Sequence, residues 1–245
     1  MRAPVDHIGA PPFPRGLPWI NSRPLRLEKL GRPLLVEFWD FCRANSIRTL
    51  PYVKAWHERY GPAGLSLVGV HSAGFELSSD PEAVRAAVRR LGIEHPVVVD
   101  VGREIWRAYG NLGWPARYLF DDHAMLVHYH YGEGGYDETE LAIQELCGVE
   151  RELLEPLRPE DAPGARLTPQ SEDVDGPYSG PYRAGGVWAV LEGHGTATAN
   201  GRAVTVDSPG CYELISHERS TAGHLQLELS CGVRCHAVCF TPGLD

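Results

Sequence analysis

Apolar and polar positions alternate in two styles along this chain, and the change of style divides it. Leu34 to Trp39 (LLVEFW) is a short apolar run of the kind that forms a buried strand, and it stops at Asp40. Ile47, Leu50, Val53, Trp56 and Tyr60 then recur at spacings of three and four, which predicts an amphipathic helix over Asn45 to Tyr60. Pro51 removes one amide donor from that helix and is expected to kink it. Leu65 to Val70 predicts a second buried strand. Asp80 offers an N-cap and Pro81 a favoured first position for a helix whose apolar face is Ala83, Val84, Ala87, Val88 and Leu91. A third strand at Pro96 to Val99 and a short helix at Arg103 to Tyr109 follow. Strands alternating with helices predict parallel pairing through right-handed crossovers. After Gly113-Trp114-Pro115 the spacing changes: Arg117 to Phe120 and Met125 to Tyr131 lie close together around Asp121-Asp122, as in an antiparallel hairpin, and Asp137 to Cys147 reads as a final helix.

Beyond residue 148 the helical period disappears. Residues 149–175 carry Pro, Glu, Asp and Gly with little periodicity and read as a linker or irregular bridge. Residues 176–245 hold short strand-like runs at Val187 to Glu192, Thr196 to Ala199, Ala203 to Val206, Cys211 to Ser216, Leu225 to Leu229 and Val233 to Phe240. Turn signals separate them at Glu192-Gly193, Asn200-Gly201, Ser208-Pro209-Gly210, Ala222-Gly223 and Cys231-Gly232. Many short strands with regular turns predict a small all-β sandwich. The expected architecture is an α/β domain over residues 1–148 with an N-terminal extension, then the linker, then the sandwich.

Composition narrows the chemistry. The chain has 245 residues, 43% hydrophobic and 22% charged, and no apolar run approaches the ~18 residues that would span a membrane. The Pro-rich Met1 to Arg15 stretch lacks the apolar segment and cleavage site of a secretory signal, so a cytoplasmic location is expected. A net charge of -9 with no basic run argues against nucleic acid or an anionic membrane surface as partner. Six cysteines are too few for a disulfide scaffold of this size, so each thiol is read in its own setting.

Several runs carry a family resemblance: VEFW (36–39), IRTLPYVKAWHERY (47–60), GLSLVGVHSAGFE (64–76), WRAYGNLGWPARYLFD (106–121) and HYGEGGYDETE (130–140). They resemble the thioredoxin-like redoxin domain of cytochrome c biogenesis-type membrane thiol reductases, near the peroxiredoxins. The resemblance implies a thioredoxin-like fold over roughly residues 15–148, followed by a β-sandwich of carbohydrate-binding-module type. Where such proteins commonly read Trp-Thr-Tyr-Thr-Cys-Ile-Asn-Cys, this chain reads Trp39-Asp40-Phe41-Cys42-Arg43-Ala44-Asn45-Ser46. Arg43 and Ser46 therefore occupy the two thiol places, and Cys42 sits one residue early. By resemblance, the Trp114-Pro115 bond is expected to be cis, close to Cys42, in a shallow substrate groove of Trp39, Arg48, Trp114 and Pro115 walled by the two tryptophans, where an extended substrate pairs with exposed backbone.

The candidate chemistry follows from these residues. Cys42 just ahead of a helix, beside Arg43 and Arg48, is set to favour the thiolate. With Ser46 in place of a resolving thiol, Cys42 would act alone on a disulfide or on a peroxide, an external thiol restoring it. The competing reading is that Cys42 is a small packing residue. Glu37, an acid inside an apolar strand, corresponds by resemblance to a buried proton shuttle, or pairs with an arginine. Gly132, Gly134 and Gly135 are read as a tight turn, and the acids around them as caps for the final helix. Cys235 and Cys239 with Ala237 are expected on one face of the last strand and His236 with Val238 on the other, so core packing is favoured over metal binding there. His128 and His130 share a strand face and lack a third ligand. No cofactor or metal is expected. The leading function is a single-thiol oxidoreductase taking a thiol, disulfide or small-molecule substrate. The alternatives are a non-catalytic binding module, and a biosynthetic enzyme in which Arg43 or Arg48 holds an anion.

Overall fold

A computed structural model describes residues 8–245, apart from the side chain of Glu28. The chain divides into two compact units. The first holds the residues up to Asp40 together with Asn45–Glu155, and the second holds Phe41–Ala44 together with Pro156–Asp245.

The first unit is a six-stranded sheet with helices on it. In chain order it runs β1 (Trp19–Ile20), β2 (Leu34–Trp39), α1 (Ala44–Tyr60), β3 (Ser66–His71), α2 (Pro81–Arg90), β4 (Val97–Val99), α3 (Glu104–Ala108), β5 (Ala116–Phe120), β6 (Leu126–Tyr131) and α4 (Tyr136–Cys147). The strand order is β1-β4-β3-β2-β5-β6. β2, β3 and β4 pair in parallel, and β5 and β6 form the antiparallel hairpin. The two-residue β1 was not foreseen; it pairs antiparallel to β4, matching Trp19 with Val98. α1 continues through Pro51. α2 is capped as its sequence implies, Asp80 accepting from the Glu82 amide at 3.1 Å.

Alternation along β2 splits the core in two. Leu34, Val36 and Phe38 face Val68, Val70, Val98, Ile105 and Tyr118. Leu35 faces the other way, toward Tyr52, Val53, Trp56 and Tyr60 of α1 and Ile143 of α4. Glu37 and Trp39 alternate with Leu35 and therefore lie on the helix-covered face.

The second unit consists mostly of β structure. β7 (Leu167–Thr168), β8 (Val174–Asp175), β9 (Gly180–Gly193), β10 (Gly195–Ala199), β11 (Arg202–Val206), β12 (Gly210–Leu225), β13 (Leu227–Leu229), β14 (Val233–Thr241) and β15 (Gly243–Leu244) form sheets β12-β9-β14-β8, β11-β10-β13 and β15-β7. The first two sheets share one apolar core, with Val187, Ala189, Leu191, Leu214 and Val238 from one and Ala197, Ala199 and Val206 from the other. Strand pairing begins inside the stretch that reads as irregular, since β7 and β8 pair with β15 and β14.

Three local readings are corrected here. Ala222-Gly223 is strand and not turn: it pairs with Arg183 and Tyr182, because two bulges let β12 bend without ending. β9 begins seven residues before Val187; its core-facing positions change phase at Gly185-Gly186, from Tyr182 and Ala184 to Val187, Ala189 and Leu191. A Cβ on Gly185 would lie 2.3 Å from the Pro242 carbonyl oxygen, so only glycine permits this approach. In β14 a register shift between Cys235 and Ala237 breaks strict alternation. Cys235 therefore shares the core with Val238 and Phe240, and not with Cys239 and Ala237.

Candidate redox-loop site

The segment joining β2 to α1 contains Cys42, and the sequence candidates around it fall in both units. Cys42 and Arg43 belong to the second, while Glu37, Trp39, Ser46, Arg48, Trp114 and Pro115 belong to the first.

Within the second unit, Cys42 is fully buried and Arg43 half-buried. The carbonyl of the adjacent Phe41 accepts from the Cys211 amide at 3.1 Å. The charge of Arg43 reaches Cys239, whose thiol is nonetheless pushed up to about 12, first by burial and then by Asp173. Burial likewise raises Cys235 to about 11.

In the first unit, Ser46 is buried in the opening turn of α1 and its Oγ accepts from the Asp40 amide at 3.3 Å. The Asp40 carboxylate accepts from the Gly74 amide at 2.6 Å and from Ser78 Oγ at 3.2 Å, and lies 3.5 Å from His71 Nε2. These bonds tie the end of β2 to the loop after β3.

The Trp114–Pro115 peptide is cis. The flanking Trp114 carbonyl accepts from Asn45 Nδ2 at 2.6 Å. Trp114 Nε1 donates to the Ser72 carbonyl at 2.8 Å, and Trp106 packs on its ring at 4.4 Å. Trp39 does not wall a groove. It is 1% exposed, with its ring edge-on to His71 at 4.9 Å. Arg48, offered by the sequence to a thiolate or an anion, is bonded through Nε to Glu133 Oε2 at 2.8 Å. Glu133 accordingly anchors α1. Gly132, Gly134 and Gly135 all take positive φ in that turn.

Glu37 is the most perturbed acid of the site. It is fully buried, and neither carboxylate oxygen has a hydrogen-bond partner among the described residues. Burial lifts its pKa to about 8, with the Arg117 guanidinium pulling the other way. Arg117 lies directly opposite on β5. Burial lowers its own pKa to about 10 against the opposing pull of Tyr136 and Glu37. Its guanidinium bonds the Gly134 carbonyl and stands 4.9 Å from the Tyr136 ring and 5.6 Å from that of Trp56.

His128 Nε2 and His130 Nε2 bond Thr139 Oγ1 at 3.2 Å and the Glu133 carbonyl at 3.0 Å. Three groups were not singled out from sequence: His57 on α1, His71 and His95. His57 and His71 fall inside family-like runs that do not single out the imidazoles, and only the packing sets His71 against Trp39 and His95 beside His57.

The six-stranded order, the cis proline after α3 and the split core define the first unit as thioredoxin-like. A solved thioredoxin-like protein in its oxidized form matches with a TM-score of 0.50 and 26% identity, covering 57% of this chain and 97% of that one. Among curated proteins, protein DipZ of Mycobacterium tuberculosis is 31% identical over 180 residues, which is 69% of this chain and 26% of DipZ. The chain thus spans about a quarter of that relative's length. The thiol-disulfide oxidoreductase YkuV of Bacillus subtilis is 26% identical over 129 residues, covering 52% of this chain and 86% of YkuV. No protein-family model matches the chain. Among the described residues, no helix is long and apolar enough to cross a membrane.

Proposed function

We propose that this chain is a thiol-dependent oxidoreductase of thioredoxin-like fold, with Cys42 as its single reacting thiol. The carrying observation is the thiol between β2 and α1 in a chain similar to a thiol-disulfide oxidoreductase. In the reaction, the Cys42 thiolate attacks one sulfur of a disulfide, forms a mixed disulfide and releases the other sulfur as a thiolate. An external low-molecular-weight thiol then attacks the mixed disulfide and returns Cys42 to its reduced form. With a peroxide, the Cys42 thiolate attacks one oxygen, the O–O bond breaks, the other oxygen leaves as water or an alcohol, and Cys42 becomes a sulfenic acid. Two equivalents of external thiol restore it with release of water and a disulfide. Both routes require Cys42 to leave its buried position.

That burial favours a second reading, a binding module in which Cys42 only packs. The sheets of the second unit would then supply ligand recognition, as a carbohydrate-binding-module-type sandwich implied by the family resemblance would. The third reading, an arginine-held anion for non-redox chemistry, loses Arg48 to Glu133 and keeps Arg43. Turnover of a model disulfide or of hydrogen peroxide by wild type and Cys42→Ser separates the first reading from the other two.

A further inference from the structure

A cleft of about 750 Å³ opens in the first unit along the C-terminal half of α1, against the start of β3 and the segment entering β4. None of the redox-loop residues lines it. Its lining includes His57, Ser66 and His95, and these residues carry buried polar atoms with no partner among the described residues: His57 Nδ1, Ser66 Oγ and both ring nitrogens of His95. His95 is fully buried and Ser66 is 7% exposed. Polar groups so deeply placed nearly always find a protein or ordered-water partner, because each otherwise keeps its desolvation penalty. Four such atoms on the lining residues of one cleft are a donor and acceptor set without a counterpart.

The groups are held in place. The His57 and His95 rings stand edge to face with centroids 5.7 Å apart. His95 is seated where Gly69 leaves room, since a Cβ there would lie 3.2 Å from His95 Nε2. Lys54, one turn before His57 on α1, spends one ammonium proton on the Leu91 carbonyl at 2.9 Å and keeps two. Burial, His57 and Lys54 together lower His95 to about 3, so its imidazole is neutral and sits in the positive field of Lys54. Burial also lowers His57, against Glu94. Two imidazoles do not hold a metal ion alone, and the described residues bring no third ligand to them: the one three-ligand cluster found is at Asp121, Asp122 and His123.

We propose that this cleft binds a small molecule through a carboxylate or phosphate oxyanion, seated on Lys54 Nζ, Ser66 Oγ and the N–H groups of His57 and His95. The positive field of Lys54 and the unpaired donors supply the attraction. Glu58 and Glu94 are exposed on the rim, where solvent screens them, and they disfavour a polyanion such as a triphosphate.

The test uses the full chain titrated with inorganic phosphate, and separately with malonate, against sodium chloride at matched ionic strength. The expected result is a saturable shift of the His57 and His95 ring resonances with one or both anions, and a Tm that climbs with their concentration. Affinity should weaken by about tenfold or more in Lys54→Met and in His95→Phe. Saturation by phosphate alone assigns a phosphate ester, and by malonate alone a carboxylic acid. Shifts that do not saturate, that chloride reproduces, or that persist unchanged in Lys54→Met overturn the proposal. Lys54 is only half-buried, so that variant decides the matter even if His95→Phe does not fold.

Discussion

Glu37 on β2 and Arg117 on β5 face each other in register, both completely inaccessible to solvent, yet no hydrogen bond joins the carboxylate to the guanidinium. Desolvation outweighs their attraction: the acid is pushed up to about 8 and the base down to about 10. The strand that precedes the redox loop thus contains an acid that is protonated at neutral pH and able to exchange a proton just above it.

The first expected outcome is a pH dependence of stability. The folded-state pKa of Glu37 lies above its ordinary 4.5, so the folded chain keeps a proton that the unfolded chain releases. This group's contribution is fully present below about pH 4.5 and is lost as pH rises toward 8. Glu37→Gln keeps the shape and removes the titration. Urea unfolding at a series of pH values should show the variant gaining on wild type by roughly 4 kcal/mol between pH 4.5 and pH 8. A difference that stays constant with pH would show that Glu37 titrates normally.

Arg48 and Glu133 are 85 residues apart in sequence and joined at 2.8 Å, with only 8% and 20% of their side chains exposed. Each single change, Arg48→Met or Glu133→Gln, should cost about 1.5–3 kcal/mol in denaturant unfolding. The double variant should cost less than the sum, with a coupling of about 1 kcal/mol. Strict additivity would mean that the two side chains act independently.

Gly69 sits where β3 passes beneath two rings. A Cβ there would lie 3.0 Å from Trp39 Nε1 and 3.2 Å from His95 Nε2. Gly69→Ala should destabilise by about 1–3 kcal/mol through overpacking, seen as a lower Tm. An unchanged Tm would show that the rings are free to move apart.

The Asn45 amide holds the Trp114 carbonyl beside the cis proline. Asn45→Ala should cost about 1 kcal/mol of stability in urea unfolding. It should also speed exchange of nearby backbone amides in hydrogen–deuterium exchange. Unaltered stability and exchange would indicate that water replaces the bond without cost.

The α/β half was legible because its signals are local. The run Leu34 to Trp39, the i, i+3, i+4 spacing of α1 and the Asp80-Pro81 cap each fit within one element, and their boundaries move by only a residue or two. In the β-rich half six of the nine strands, β9 to β14, were legible in place but not in extent, and the two-residue β7, β8 and β15 were not. Ala222-Gly223 looks like a turn, and only the bulges of β12 explain why that strand continues; the early start of β9 rests on the close backbone approach at Gly185, which spacing does not reveal. The bulge beside His236 was invisible for the same reason, and the face assignment of Cys235 failed with it. At the site, sequence picked out Glu37 as an acid inside an apolar strand, a proton shuttle by resemblance or an arginine's partner, and left the two open; the strand pairing sets it opposite Arg117 without a hydrogen bond between them. Sequence assigned Trp39 and Arg48 to a substrate groove, whereas long-range packing commits one to the interior and the other to Glu133. The His57 and His95 pair, from different elements, left no trace in sequence spacing.

The most direct test of the proposed function is site-resolved mass spectrometry of the full chain after exposure to hydrogen peroxide with dimedone, and to a low-molecular-weight disulfide, alongside turnover by wild type and Cys42→Ser. The expected result is a sulfenic-acid adduct or mixed disulfide on Cys42, with turnover abolished in the variant. A Cys42 that stays unmodified while the exposed Cys231 reacts, or turnover unchanged in Cys42→Ser, would contradict Cys42 as the reacting thiol of a single-thiol oxidoreductase.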